Sequence, residues 1–153
     1  AAGVDRLSEL YVADANDIVW ALDATTGRKI WSTNVNIDVT AMAVNEDSVF
    51  VAGSSGGTIT YIHKLRRTDG AIVWTITPGG VPVLGGPLVT ADRMLIALVN
   101  GLVIIYDVNT GSSPPTRSVT LPAALPDRGG PAVSDNLIIL PATNNTAYAL
   151  SGQ

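Results

Sequence analysis

Short apolar runs alternate with turn residues along the whole chain. In "DIVWALDATTGRKIW", residues 17–31, one run ends at Asp23, a Thr/Gly turn follows, and a second run closes on Trp31. That order predicts a hairpin of two strands. Related turns occur at "RRTDG" and "DVNTG", so Gly27, Gly70 and Gly111 fall at intervals of 43 and 41 residues. Gly27 and Gly70 are each followed four residues later by tryptophan, Trp31 and Trp74. A period of this length signals a repeat architecture in which each unit must stack on its neighbours to bury its apolar surface.

A second series precedes the hairpins. "ELYVADAND", "SVFVAGSSGG", "RMLIALVNG" and "NLIILPATNN" are short runs rich in Val, Ile and Leu that end in Asn, Asp or Gly. Asn-Gly and Gly-Gly supply the positive φ of tight hairpin turns. Further upstream lie "AMAV", "GGPLV" and "GGPAV", with "AAGV" at residues 1–4 as a candidate first member. Proline can open a strand but cannot lie inside a central one, so Pro87 and Pro131 mark strand starts. Each unit therefore reads as four strands, with unit bounds 1–36, 37–80, 81–126 and 127–153 and no fourth strand in the last unit. "DRLSELYVADA" could also be a helix, with Leu7, Leu10 and Tyr11 on one face. The β-branched residues and turns of its counterparts favour a strand.

Composition narrows the picture. Apolar residues make up 46% of the 153 and charged ones 14%, which argues against a disordered chain. The net charge of −4 lacks the basic footprint of a nucleic-acid binder. With no cysteine, disulfides and thiolate metal sites are excluded. The window "RMLIALVNGLVIIYDV" is broken at Asn100-Gly101 and is too short for a membrane-spanning helix. "AAGVDRLSEL" shows neither the basic region nor the long apolar core of a signal peptide.

The repeat resembles the pyrroloquinoline-quinone-type, or tryptophan-docking, β-propeller repeat, with the approximate pattern A-x-D-x-x-T-G-x-x-x-W. The first unit carries all of it in Ala21, Asp23, Thr26, Gly27 and Trp31. The second keeps Gly70 and Trp74 but has Arg66 in place of the aspartate and Asp69 in place of the threonine. The third keeps Asp107, Thr110 and Gly111, then runs into "SSPPT" where tryptophan is due. The resemblance implies an all-β propeller of four-stranded antiparallel blades, about four of them present. As half of a larger propeller, the chain would show apolar flanks and be completed by more protein, from its own polypeptide or from a second copy. These ten residues read as architectural, with both indoles largely buried between sheets.

The candidates for chemistry are few. "GSSGG" places Ser55 in a G-x-S-x-G pattern, but a strand follows it and His63 is the only histidine, so a turn is expected there. "HKLRR" holds the only basic cluster, His63, Lys64, Arg66 and Arg67. It is either a solvated strand end or a contact for an acidic partner. "NNT" at 144–146 fits a glycosylation acceptor in a turn. Quinoprotein dehydrogenases of this family bind the quinone with calcium on the propeller axis, and no segment here matches their metal ligands or base. Non-enzymatic members include outer-membrane assembly lipoproteins and sensor domains. The expectation is a non-catalytic, extracytoplasmic scaffold without cofactor, binding a protein partner. The alternative is a fragment of a quinone-dependent dehydrogenase, using pyrroloquinoline quinone and calcium.

Overall fold

The alternation of apolar runs and turns is realised as strands throughout. The computed structural model describes residues 8–57, 59–83, 85–111, 115–125, 131–134 and 137–151. The first four-residue run, "AAGV", lies outside them. Where the helix was a competing reading, Glu9–Ala13 is strand β1.

Sheet one joins β1 to β2 (Ile18–Asp23) and β3 (Lys29–Asn34). Sheet two is β4 (Asp38–Val44), β5 (Ser48–Ser55), β6 (Ile59–Arg66) and β7 (Ile72–Gly79). Sheet three is β8 (Leu88–Val89), β9 (Arg93–Ala97), β10 (Leu102–Asp107) and β11 (Arg117–Thr120). Sheet four is β12 (Ala132–Ser134), β13 (Leu137–Pro141) and β14 (Ala147–Ser151). Every paired strand is antiparallel to its sequence neighbour, so each sheet is a meander. β8 and β12 each start one residue after a proline, at Pro87 and Pro131. Together the sheets form a partial β-propeller, all-β among the described residues.

The core lies between consecutive sheets. Val19, Ala21 and Trp31 of sheet one pack with Val49, Val51 and Leu65 of sheet two. Phe50, Ile62 and Ile76 on the other face of sheet two meet Met94, Ile96, Ile104 and Tyr106 of sheet three. Leu95, Ala97 and Val103 then pack with Leu140 of sheet four. This stacking explains why β5 is buried from Ser48 to Gly53 on both faces, whereas β1 and β13 expose alternate residues. Leu10, Val12, Leu137 and Ile139 are the apolar residues left exposed on those two strands.

Candidate interaction site

The repeated turns and indoles make the contacts between sheets. In the first turn Asp23 Oδ1 accepts the backbone N–H groups of Thr25 and Thr26 and the Thr26 hydroxyl, at 2.9, 2.7 and 2.9 Å. Asp107 does the same for Asn109 and Thr110 at 2.8 and 3.1 Å. These backbone donors, with the threonine hydroxyls, hold both carboxyls below their ordinary range. The second turn has no such acid. Its Gly70 N–H still closes on the Arg66 carbonyl at 2.8 Å, while Asp69 Oδ1 accepts the Ala71 N–H and Oδ2 takes the Arg66 guanidinium. Backbone closure and a glycine at positive φ suffice for the turn.

The indoles reach across to the next sheet. Trp31 covers Gly70, where an added Cβ would lie 2.7 Å from the indole Cδ2, and donates its Nε1–H to the Arg67 carbonyl at 2.8 Å. Trp74 covers Gly111 in the same manner and donates to Val108 at 3.2 Å. A bulge precedes each indole: Ala21 pairs with Trp31 but Leu22 with Lys29, and Lys64 pairs with Trp74 but Leu65 with Ile72. The extra residue re-aims the strand and its tryptophan. Trp31 is buried as expected, but Trp74 is only half-buried. The third sheet, with Pro115 at the tryptophan position, is linked to the fourth through segment 121–125 instead. Leu121 and Leu125 enter that interface, and Thr143 donates to the Ala124 carbonyl.

The "HKLRR" cluster is not one surface. His63 is 7% exposed and lies beside Tyr61, ring on ring at 6.3 Å, on the face toward sheet one. Its Nδ1 pairs with the Thr75 hydroxyl at 2.7 Å, and among the described residues its buried Nε2 has no partner of ordinary hydrogen-bond geometry. Burial pushes its pKa down, opposed by the Val35 backbone. A solvated strand end therefore does not describe His63, because strand alternation turns it into the inter-sheet core. Lys64 points the other way and donates to the Val108 carbonyl at 2.8 Å. Arg66 stays exposed in its pair with Asp69.

Arg67 forms a contact the sequence did not announce. Its Nε donates to Glu9 Oε2 at 2.6 Å and to the Tyr11 hydroxyl at 3.1 Å, and Tyr11 donates to the same Glu9 oxygen. Burial opposes ionisation of Glu9, but Tyr11 and Arg67 outweigh it and hold the carboxyl low. Burial and the hydrogen bond to Glu9 push the Tyr11 phenol up to about 12. Asp14 is a second unannounced clasp, accepting the Trp20 indole N–H at 2.9 Å. Both join residues through register and stacking, which spacing alone does not reveal.

Ser55 ends β5, and Gly56-Gly57 turn the chain back into β6, the strand that the G-x-S-x-G pattern does not tolerate. Asn144–Thr146 lie in the turn between β13 and β14, exposed. For calcium the described donors are a poor fit. Among the described residues no three His, Asp or Glu side chains gather, and Asp14, Asp23, Asp69 and Asp107 each serve their own turn. No helix among the described residues is long and apolar enough to cross a membrane.

Stacked antiparallel meanders with turn-seated indoles define a β-propeller of the pyrroloquinoline-quinone-type repeat class. The chain belongs to the family described as outer membrane protein assembly factor BamB, whose model matches residues 15–153. It is 25% identical over 152 residues to the outer membrane protein assembly factor BamB of Yersinia pestis, covering 94% of this chain and 38% of that protein. The Moranella endobia protein of that name is 33% identical over 94 residues, covering 60% of this chain and 23% of its own length. The chain thus spans well under half of these curated relatives. Among solved structures it is similar to BamB from Moraxella catarrhalis, with a TM-score of 0.78 at 22% identity over 96% of this chain and 47% of that one. The WD40 propeller domain of Doa1 gives a TM-score of 0.72 at 16% identity, covering 98% and 49%.

Proposed function

We propose that this chain is a non-catalytic β-propeller scaffold that binds protein partners in outer-membrane protein assembly. The reading is carried by the family match over residues 15–153. It is supported by the use of the described polar side chains: the turn aspartates hold turns, and His63, Lys64 and Arg67 join strands and sheets. The ten motif residues have structural roles, and the repeat units run over 1–36, 37–80, 81–126 and 127–153. A role in outer-membrane protein assembly would put the chain outside the cytoplasm, a reading supported by its resemblance to the BamB relatives. Its partners are other proteins, including further sheets of the same propeller, and self-association is the alternative.

The test is capture of the outer-membrane assembly machinery from detergent-solubilised envelopes by the tagged chain, beside titration with pyrroloquinoline quinone and calcium. Specific enrichment of that machinery, with no quinone-dependent dye reduction, is the expected result. Calcium-dependent quinone binding with dye reduction and no enrichment overturns it in favour of a dehydrogenase fragment.

A further inference from the structure

We propose that Asn100, in the turn between β9 and β10, is a deamidation site that the folded turn holds shut and unfolding opens. Asn100-Gly101 is the only Asn-Gly pair in the chain. In such a pair the backbone nitrogen reaches the side-chain amide with least hindrance, because glycine has no Cβ in the way. The Gly101 nitrogen attacks the Asn100 Cγ, so that the N–Cγ bond forms and the Cγ–Nδ2 bond breaks. Ammonia leaves with the proton of the Gly101 N–H. Water then opens the cyclic imide at either carbonyl and leaves aspartate or isoaspartate at position 100.

The folded turn restrains both reacting groups. The Gly101 N–H, which must be released for the attack, donates to the Leu98 carbonyl at 2.9 Å, and Gly101 is buried. Asn100 Oδ1 accepts the Leu102 N–H at 3.1 Å, which fixes the side-chain amide. Leu98 N–H closes the turn on the Leu102 carbonyl at 2.8 Å, with Gly101 at a φ of 87°. Asn100 itself is exposed, so water reaches it and the bonds of the turn keep the reaction off. Asp69-Gly70 could close a similar ring, but its side chain has no ammonia to release and Gly70 lies beneath Trp31.

The product would be felt between sheets three and four. Leu121 N–H donates to the Gly101 carbonyl and Leu125 N–H to the Val99 carbonyl, both at 2.9 Å. The approach is close: a Cβ at Gly101 would lie 2.7 Å from the Ala123 carbonyl oxygen. Isoaspartate carries the main chain through Cγ and adds a methylene at this contact. Leu121 and Leu125 then lose the anchors that hold them in the interface with Leu140. A chain that has lain open is marked in this way, and the mark keeps sheet four from reseating. The inference is independent of the assembly role, because it concerns only the chemistry of this turn.

The full chain is incubated at neutral pH, native and in guanidinium chloride, beside a short peptide bearing Asn100-Gly101. Mass spectrometry with separation of the aspartate and isoaspartate forms follows the reaction. Conversion at Asn100 should run about tenfold or more slower in the native chain than in the peptide, and at the peptide's rate in denaturant. After denaturant is removed, the isoaspartate chain should have lost hydrogen-exchange protection at the Leu121 and Leu125 N–H groups. Asn100→Asp keeps the main chain and an acceptor for Leu102, so it should retain that protection. Native conversion as fast as the peptide's, or full protection at Leu121 and Leu125 in the isoaspartate chain, overturns the proposal. Equal loss of protection in Asn100→Asp would assign the damage to the new charge instead of the lengthened main chain, and overturns it too.

Discussion

Trp31 of sheet one lies directly on Gly70 of sheet two, leaving no room for a side chain on that glycine. The contact is fixed at three points: the indole N–H on the Arg67 carbonyl, the ring on Gly70, and the Thr33 hydroxyl on the Gly70 carbonyl at 2.7 Å. Glycine is required twice over, for its positive φ and for the approach of the ring. A stacking of separate meanders is thereby given one register.

Loss of the indole should be costly in proportion to its burial. Trp31→Ala should destabilise by about 3–5 kcal/mol, the usual range for a buried aromatic. Trp74 is half-buried, so Trp74→Ala should cost clearly less. Urea unfolding of both variants checks the order. Equal losses, or a larger one at Trp74, would show that burial in sheet one does not set the energy.

The turn glycines separate conformational strain from crowding. Gly27→Ala faces only the penalty of positive φ, about 1–2 kcal/mol. Gly70→Ala faces that penalty and also displaces Trp31, so its loss should exceed that of Gly27→Ala. Thermal melts of the two variants, run side by side, give the comparison. A Gly70→Ala loss no larger than Gly27→Ala would mean the indole moves aside freely.

The sequence showed the strands, turns and their period because tight turns need particular residues and repeats copy them. It showed the Asp23 and Asp107 turns for the same reason. What it hid depends on register. The bulges before Trp31 and Trp74 leave no local mark, since Ile30 and Val73 look like ordinary strand residues. Arg67 lies 58 residues from Glu9, so their pairing exists only after sheets one and two have stacked. His63 and Lys64 are adjacent in sequence but face opposite sheets, which made one basic cluster out of two unrelated contacts.

The two arginines of that cluster should therefore behave differently. Arg66 and Asp69 form an exposed pair, with side chains 54% and 51% accessible, and Arg66→Ser should change stability by less than about 0.5 kcal/mol. Arg67 is 15% exposed and donates to Glu9, Tyr11 and the Glu46 carbonyl, so Arg67→Ser should cost about 1–3 kcal/mol. The Glu9 carboxyl is held below its ordinary 4.5, so its contribution is full above that pH and fades as pH falls through the folded value. Glu9→Gln should accordingly lose stability at pH 7 and narrow its gap to the native chain below pH 4.5. A gap that stays constant down to pH 3 would show that the triad is not ionised as described.

His63 should make the fold sensitive to mild acid. Burial lowers its pKa beneath the ordinary 6.5, so the unfolded chain takes up a proton there before the folded one does. Stability is then complete above pH 6.5 and declines as pH falls from 6.5 through the lower folded value. This window lies above that of Glu9, so the two effects separate. His63→Phe keeps an aromatic ring beside Tyr61 and removes the titration. It also leaves the Thr75 hydroxyl without its 2.7 Å partner, a loss that is the same at every pH. Relative to the native chain, the variant should keep a nearly constant offset from pH 7.5 to 6.5 and then gain as pH falls from 6.5 to 5.5 in urea unfolding. A pH-independent difference between the two would mean that His63 titrates alike in the folded and unfolded chains, against its burial at the sheet interface.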